Sequence, residues 1–160
     1  MALSDRVVVM QAGRVLQSGA PEEIYQRPRS AAVASFFGSP NLLPATVIDC
    51  ARLGDGEFEV SVRGAWDGVC RAGAALAAGS DVMVMVRPEN IRLANDEGGA
   101  GNGSAAMEGR VVQSSFHGAC RAVTIEVNGN AIRAEISALA PISERVSVII
   151  DERAAWALAS

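Results

Sequence analysis

The sequence predicts a mainly β protein, with a short helical segment near its start leading into a small barrel or sandwich. Three observations predict it. Period-2 alternation of apolar and polar residues recurs in at least five short runs after residue 41. The pair Asn128-Gly129 sits between two such runs, where a two-residue hairpin turn is expected. Helical spacing of apolar residues is confined to the stretch between Pro21 and Phe37.

Residues 6–18 read as a hairpin. Arg6-Val7-Val8-Val9-Met10 is a continuous apolar run, as expected of a strand buried on both faces. Gln11-Ala12-Gly13 offers the turn, and Arg14 to Ser18 the return strand. A short helix follows, with Pro21 at its first position and Glu22 and Glu23 at the positive end of its dipole. Pro28 stops it. A second helix is expected from Ser30 to Phe37, placing Val33, Phe36 and Phe37 on one face as a domain-packing surface. Gly38 and Pro40 end that helix.

From Asn41 onward the pattern is that of strands. Val60 and Val62 follow Phe58 at alternate positions, and Val82, Val84 and Val86 repeat the spacing. Val123, Ile125 and Val127 form a third run, Ile132, Ala134 and Ile136 a fourth, and Val146, Val148 and Ile150 a fifth. The region reads as a weak internal duplication, with halves of about 41–94 and 107–160. Residues 95–106, rich in glycine and small polar residues, form the linker between them.

Composition narrows the chemistry. The chain has 160 residues, 49% apolar and 20% charged, so it is expected to fold. No apolar run approaches the roughly 18 residues a bilayer-spanning helix needs. All 14 basic residues are arginine. Without lysine the chain holds neither a P-loop lysine nor a Schiff-base amine. A net charge of -4 and 4% aromatic residues argue against a nucleic-acid-binding module. Cys50, Cys70 and Cys120 have no paired spacing and read as reduced thiols, and no metal site is expected. The single histidine, His117, has no marked nucleophile beside it, so no catalytic residue is expected; a turn or barrel-rim role suits it better. Arg87-Pro88-Glu89 follows a strand, and the proline ends pairing there. That leaves either a local ion pair or an interface at the barrel rim.

The first 43 residues resemble a stretch of the importer-type ABC-transporter ATP-binding subunits that serve sugars, polyamines and ferric iron. The resemblance is carried by Ala2 to Met10, by the turn Gly13-Arg14-Val15, and by Gly19-Ala20-Pro21-Glu22-Glu23-Ile24-Tyr25. Arg27-Pro28, Val33 to Gly38 and Pro40-Asn41-Leu42-Leu43 continue it. The rest is similar to that family's transport-associated OB (TOBE) domain, through Val86-Arg87-Pro88-Glu89, Gly109-Arg110-Val111 and Phe116-His117-Gly118. Position 117 is often apolar in relatives, so histidine adds a titratable group at the rim.

The resemblance implies a duplicated OB-like β-barrel over residues 41–160, preceded by the C-terminal remnant of a nucleotide-binding domain over 1–40. It implies a regulatory and dimer-stabilising role in a subunit that powers solute import, with polyamine or iron slightly favoured. The alternative is a small-ligand or oxyanion-binding barrel acting as a solute sensor. The phosphate-binding loop, signature sequence, Walker B acids and switch histidine would lie upstream, so the chain alone is expected neither to bind ATP in the usual mode nor to hydrolyse it. ATP and Mg would belong to the full-length parent, with no cofactor in this chain. Implied partners are the parent's nucleotide-binding domain, a second copy through the barrel, permease subunits and a solute-binding protein. Implied location is cytoplasmic, peripheral on the inner face of the membrane. Candidate interface or regulatory residues at the rim are Arg87, Glu89, Phe116 and His117.

Overall fold

A computed structural model of the chain describes residues 5–54, 56–94 and 106–159. The glycine-rich linker expected at 95–106 lies outside the described residues except Ala106, which opens a strand.

The chain begins with the expected hairpin, β1 (Val7–Gln11) and β2 (Arg14–Gly19), paired antiparallel. Its turn takes φ of +49° at Ala12 and +76° at Gly13, the left-handed pair that two-residue hairpins use. The apolar run of β1 is not buried on both faces. Val9 is buried, whereas Val8 and Met10 are 50% and 53% exposed, because the hairpin is a two-stranded sheet covered on one side only.

Two helices of six residues follow, α1 (Pro21–Gln26) and α2 (Ala31–Phe36). α1 starts with proline at its first turn and two acids beside it, in keeping with the helix dipole. α2 is capped by Ser30, whose hydroxyl accepts from the Val33 N–H at 3.3 Å. It ends at Gly38 with φ of +96°. Ile24 of α1 and Val33 of α2 pack with Val9 of β1 into a small core of their own.

The remaining elements are β3 (Asn41–Arg52), β4 (Phe58–Gly64), β5 (Gly68–Ala72), β6 (Asp81–Val86) and β7 (Ile91–Ala94), then β8 (Ala106–His117), β9 (Cys120–Val127), β10 (Asn130–Ser137), β11 (Arg145–Ile150) and β12 (Trp156–Ala159). Short 3-10 turns at Pro88–Asn90 and Glu152–Ala154 precede β7 and β12. Asn128 and Gly129 make the tight β9–β10 turn at φ of +49° and +79°.

The pairing crosses between the two sequence halves. β12, β5, β4, β3 and β6 form a closed barrel, while β10, β9, β8, β11 and β7 form a five-stranded sheet. Thus β12, from the end of the chain, closes the first barrel between β5 and β6, and β7, from the first half, pairs with β11 of the second. Each half lends its last strand to the other. One continuous apolar core follows from this exchange, with Val60, Val84 and Trp66 in the same cluster as Ile125, Ile132 and Val148.

Asn41 adds a second tie between the two sheets. Its side-chain amide donates to Arg133 O at 2.8 Å, and its carbonyl oxygen accepts from Arg133 N–H at 2.7 Å. A buried amide on β3 thereby acts as a strand partner for β10, satisfying backbone groups at that strand's edge. No described helix is long and apolar enough to cross a membrane.

Candidate functional site

The densest polar contacts across elements gather where the hairpin and helices meet the barrel. Arg87 directly follows the barrel strand β6 and is only 2% exposed. Its Nη1 donates to Ala34 O at 3.0 Å and to Phe37 O at 2.9 Å, and Nη2 donates to Tyr25 O at 2.8 Å. These carbonyls belong to the last turns of α1 and α2, which have no acceptor-satisfying partners within their own short helices. The guanidinium supplies three donors in a fixed fork, and its positive charge suits the negative end of both helix dipoles. Burial lowers its hold on its proton, while Tyr25 and Glu89 oppose that effect.

Tyr25 closes the arrangement. Its ring lies under the Arg87 guanidinium at 4.0 Å from carbon to centroid, and its hydroxyl donates to Glu89. Desolvation and the Glu89 carboxylate together push the phenol up to about 12. Arg87 and Glu89 are therefore brought together through Tyr25, a residue quoted in the sequence only as part of the first motif.

Two further contacts cross the same joint. Trp156 of β12 donates its indole N–H to Pro28 O at 3.1 Å. Arg27, just past α1, pairs with Glu57 at 2.7 Å, and Glu57 also accepts from Arg71 of β5 at 2.9 Å. The loop between the helices is held from the hairpin side by Gln17, which donates to Arg27 O at 3.1 Å and accepts from Arg29 N–H at 2.8 Å. Ala34 of α2 completes the apolar contact, packing with Met85, Trp156 and Leu158.

Two sequence expectations are corrected here. Arg87 is not presented at the rim; it points inward, because three helix-end carbonyls outcompete solvent for it. Val33, Phe36 and Phe37 do not form one packing face. α2 stops at Phe36, and Phe37 packs with Val33 on the hairpin core while Phe36 is left outside it. Val33 faces the hairpin core, its neighbour Ala34 meets the barrel, and Phe36 is 62% exposed with its ring edge-on to that of Phe37 at 5.1 Å.

Phe116 and His117 lie elsewhere, at the tip of the β8–β9 hairpin, where they pair with Arg121 and Cys120. Both are exposed, Phe116 by 69%. Of the four rim residues only Arg87 and Glu89 share a site. The three cysteines are free thiols. Burial pushes that of Cys70 up to about 12, with Cys50 adding to the effect, so it stays protonated and poorly nucleophilic.

Sequence reasoning missed Asn41, Glu57, Trp156 and Ala34 as joint residues. Only Glu57 carried a signal, an acid immediately before an alternating strand that ends up 7% exposed.

Comparison with known proteins agrees with this architecture. Residues 84–158 match the TOBE domain family. The chain is 37% identical over 120 residues to the spermidine/putrescine import ATP-binding protein PotA of Nitratidesulfovibrio vulgaris, covering 74% of this chain and 31% of that protein. It is 36% identical over 124 residues to the Fe(3+) ions import ATP-binding protein FbpC of Agrobacterium fabrum, covering 74% of this chain and 30% of that protein. Among solved structures, the cytoplasmic molybdate-binding protein ModG with molybdate bound shares the fold. Its TM-score is 0.63 at 18% identity, over 78% of this chain and 99% of that one. The chain spans about a third of the length of the curated relatives it matches. Residues 84–158 thus match the TOBE domain, and the chain is similar to the ATP-binding subunits of importer-type ABC transporters.

Proposed function

We propose that the chain is the regulatory and dimer-stabilising portion of an ATP-binding subunit that powers solute import. Residues 1–40 then belong to the nucleotide-binding domain and 41–160 to the barrel. The observation that carries this reading is the Arg87 knot, in which one barrel side chain holds the ends of both helices. A knot of that kind makes a rotation of the nucleotide-binding portion a rotation of the barrel, as a coupling element requires. The exposed apolar side chains Val8, Met10 and Val15 on the hairpin fit a sheet that continues into the rest of such a subunit. ATP and Mg would be bound in that remaining portion. Permease subunits and a solute-binding protein would be reached through it, at the cytoplasmic face of the membrane. The relatives' names favour a polyamine or ferric iron as the solute.

Light scattering over a range of concentrations tests the dimer. A dimer whose population rises with concentration is expected, and a strict monomer throughout would contradict it.

A second reading, a small-ligand or oxyanion sensor, is favoured by the fold shared with a molybdate-binding protein. Calorimetry with molybdate separates the two. Saturable heat supports the sensor, and its absence leaves the coupling role.

A further inference from the structure

The joint is not solid. Beside the Arg87 knot lies a cavity of about 510 Å³, walled by the end of α1 on one side and by β5, β6 and the turn before β12 on the other. Its charged lining is Arg27, Arg71, Arg87 and Arg153 against Glu57 and Glu89, two positive charges in excess, on a chain whose net charge is -4. The glutamates are already engaged. Glu57 is gripped by Arg27 and Arg71, and Glu89 accepts from the Tyr25 hydroxyl.

Glu57 alone cannot match both Arg27 and Arg71, and Arg153 adds a second unmatched charge. Arg87 spends both Nη atoms on neutral carbonyls, and its Nε is buried without a hydrogen-bond partner. Glu89 acts on the Arg87 charge only through space, and the orphaned Nε donor remains costly until an acceptor or anion approaches it. Arg153, in the turn before β12, is exposed at the cavity and pairs with no carboxylate among the described residues. The volume lies within the range of small-molecule sites, about 300–1,000 Å³, and far exceeds what one inorganic oxyanion fills. Asn90 and Trp156 supply a polar and an apolar wall for the body of a larger ligand.

We propose that this cavity binds an organic anion carrying two or more negative charges. Arg153 meets its carboxylate or phosphate oxygens from solvent, and Arg87 supplies the buried positive field. Such a ligand touches both sides of the joint and fastens the helices to the barrel. The site deepens the small-ligand reading but does not depend on dimerisation.

The test is calorimetry on the whole chain at constant ionic strength, with citrate as the polycarboxylate and glucose 6-phosphate as the phosphate ester. Wild type is compared with Arg153→Gln, an exposed change whose folding is checked by thermal melting, and with Arg110→Gln, on β8 in the other sheet. One saturable site for at least one probe is expected, with affinity about tenfold or more lower in Arg153→Gln and unchanged in Arg110→Gln. Which probe binds identifies the anion class. Silence with both probes overturns the site, as does equal loss in the two variants. Saturable molybdate binding that ignores Arg153→Gln also overturns it, while leaving a small-ligand role elsewhere in the fold.

Discussion

Arg87 sits over the face of Tyr25 with its guanidinium carbon 4.0 Å from the ring centroid, and the same side chain takes the Tyr25 backbone carbonyl at 2.8 Å. One residue at the end of a barrel strand thereby fixes both the ring and the backbone of a residue 62 positions earlier. Replacing Arg87 by glutamine removes the charge and at least one of the three carbonyl bonds, and strands a buried acceptor. We expect a loss of about 3 kcal/mol or more in urea melts. Lysine does not rescue it, because an ammonium cannot fork to three carbonyls around a stacked ring. A loss under about 1 kcal/mol for glutamine would show the knot to be ornamental.

Tyr25 is the only tyrosine in the chain, so its ionisation is read directly from tyrosinate absorbance. With its phenol raised to about 12, the folded state favours the protonated ring more than the unfolded state does. Its contribution is therefore fully present below the ordinary value near pH 10 and is lost as pH rises through about 12. In Glu89→Gln the midpoint moves down toward 10, since the carboxylate that disfavours tyrosinate is gone. An unchanged midpoint would mean the hydrogen bond does not form in solution.

Ala12 holds a φ of +49°, a left-handed conformation that costs a non-glycine residue roughly 1–2 kcal/mol. Ala12→Asn converts the β1–β2 turn to Asn-Gly, the same pair that turns β9 into β10. We expect the variant to be more stable by about 0.5–1 kcal/mol in denaturant melts. Destabilisation would show the turn adopts another geometry.

Gly109 of β8 has no room for a methyl group. A Cβ there would stand 2.4 Å from Ile125 Cγ2 and 2.8 Å from Val127 Cγ2 on the neighbouring strand β9. Gly109→Ala forces apart two core side chains, at about 1–3 kcal/mol. An alanine variant as stable as wild type would place β8 farther from β9 than its pairing implies.

Local features were legible in the sequence and long-range ones were not. The turns at Ala12-Gly13 and Asn128-Gly129 follow from residue chemistry alone, and so does the proline start of α1, whereas Ser30, expected inside α2, is its cap. The alternating runs around Val60, Val84, Ile125, Ile132 and Val148 showed which side chains face the core. The exchange of β7 and β12 between halves was hidden, because alternation marks a strand's faces and says nothing of its neighbour. β5 escaped notice since Gly68 and Arg71 dilute its pattern around the buried Cys70 and Ala72. At the joint, Arg87 stood out by its place before a proline. Its burial depended on carbonyls contributed from residues 50 to 62 positions away.

The central claim is that Arg87 ties the hairpin and helices to the barrel, and amide hydrogen exchange on Arg87→Gln tests it most directly. We predict that amides of β1, β2, α1 and α2 exchange much faster than in wild type, while those of β3 to β6 and β8 to β12 keep their protection. Uniform loss of protection throughout the chain, or no change in the helices, would contradict it.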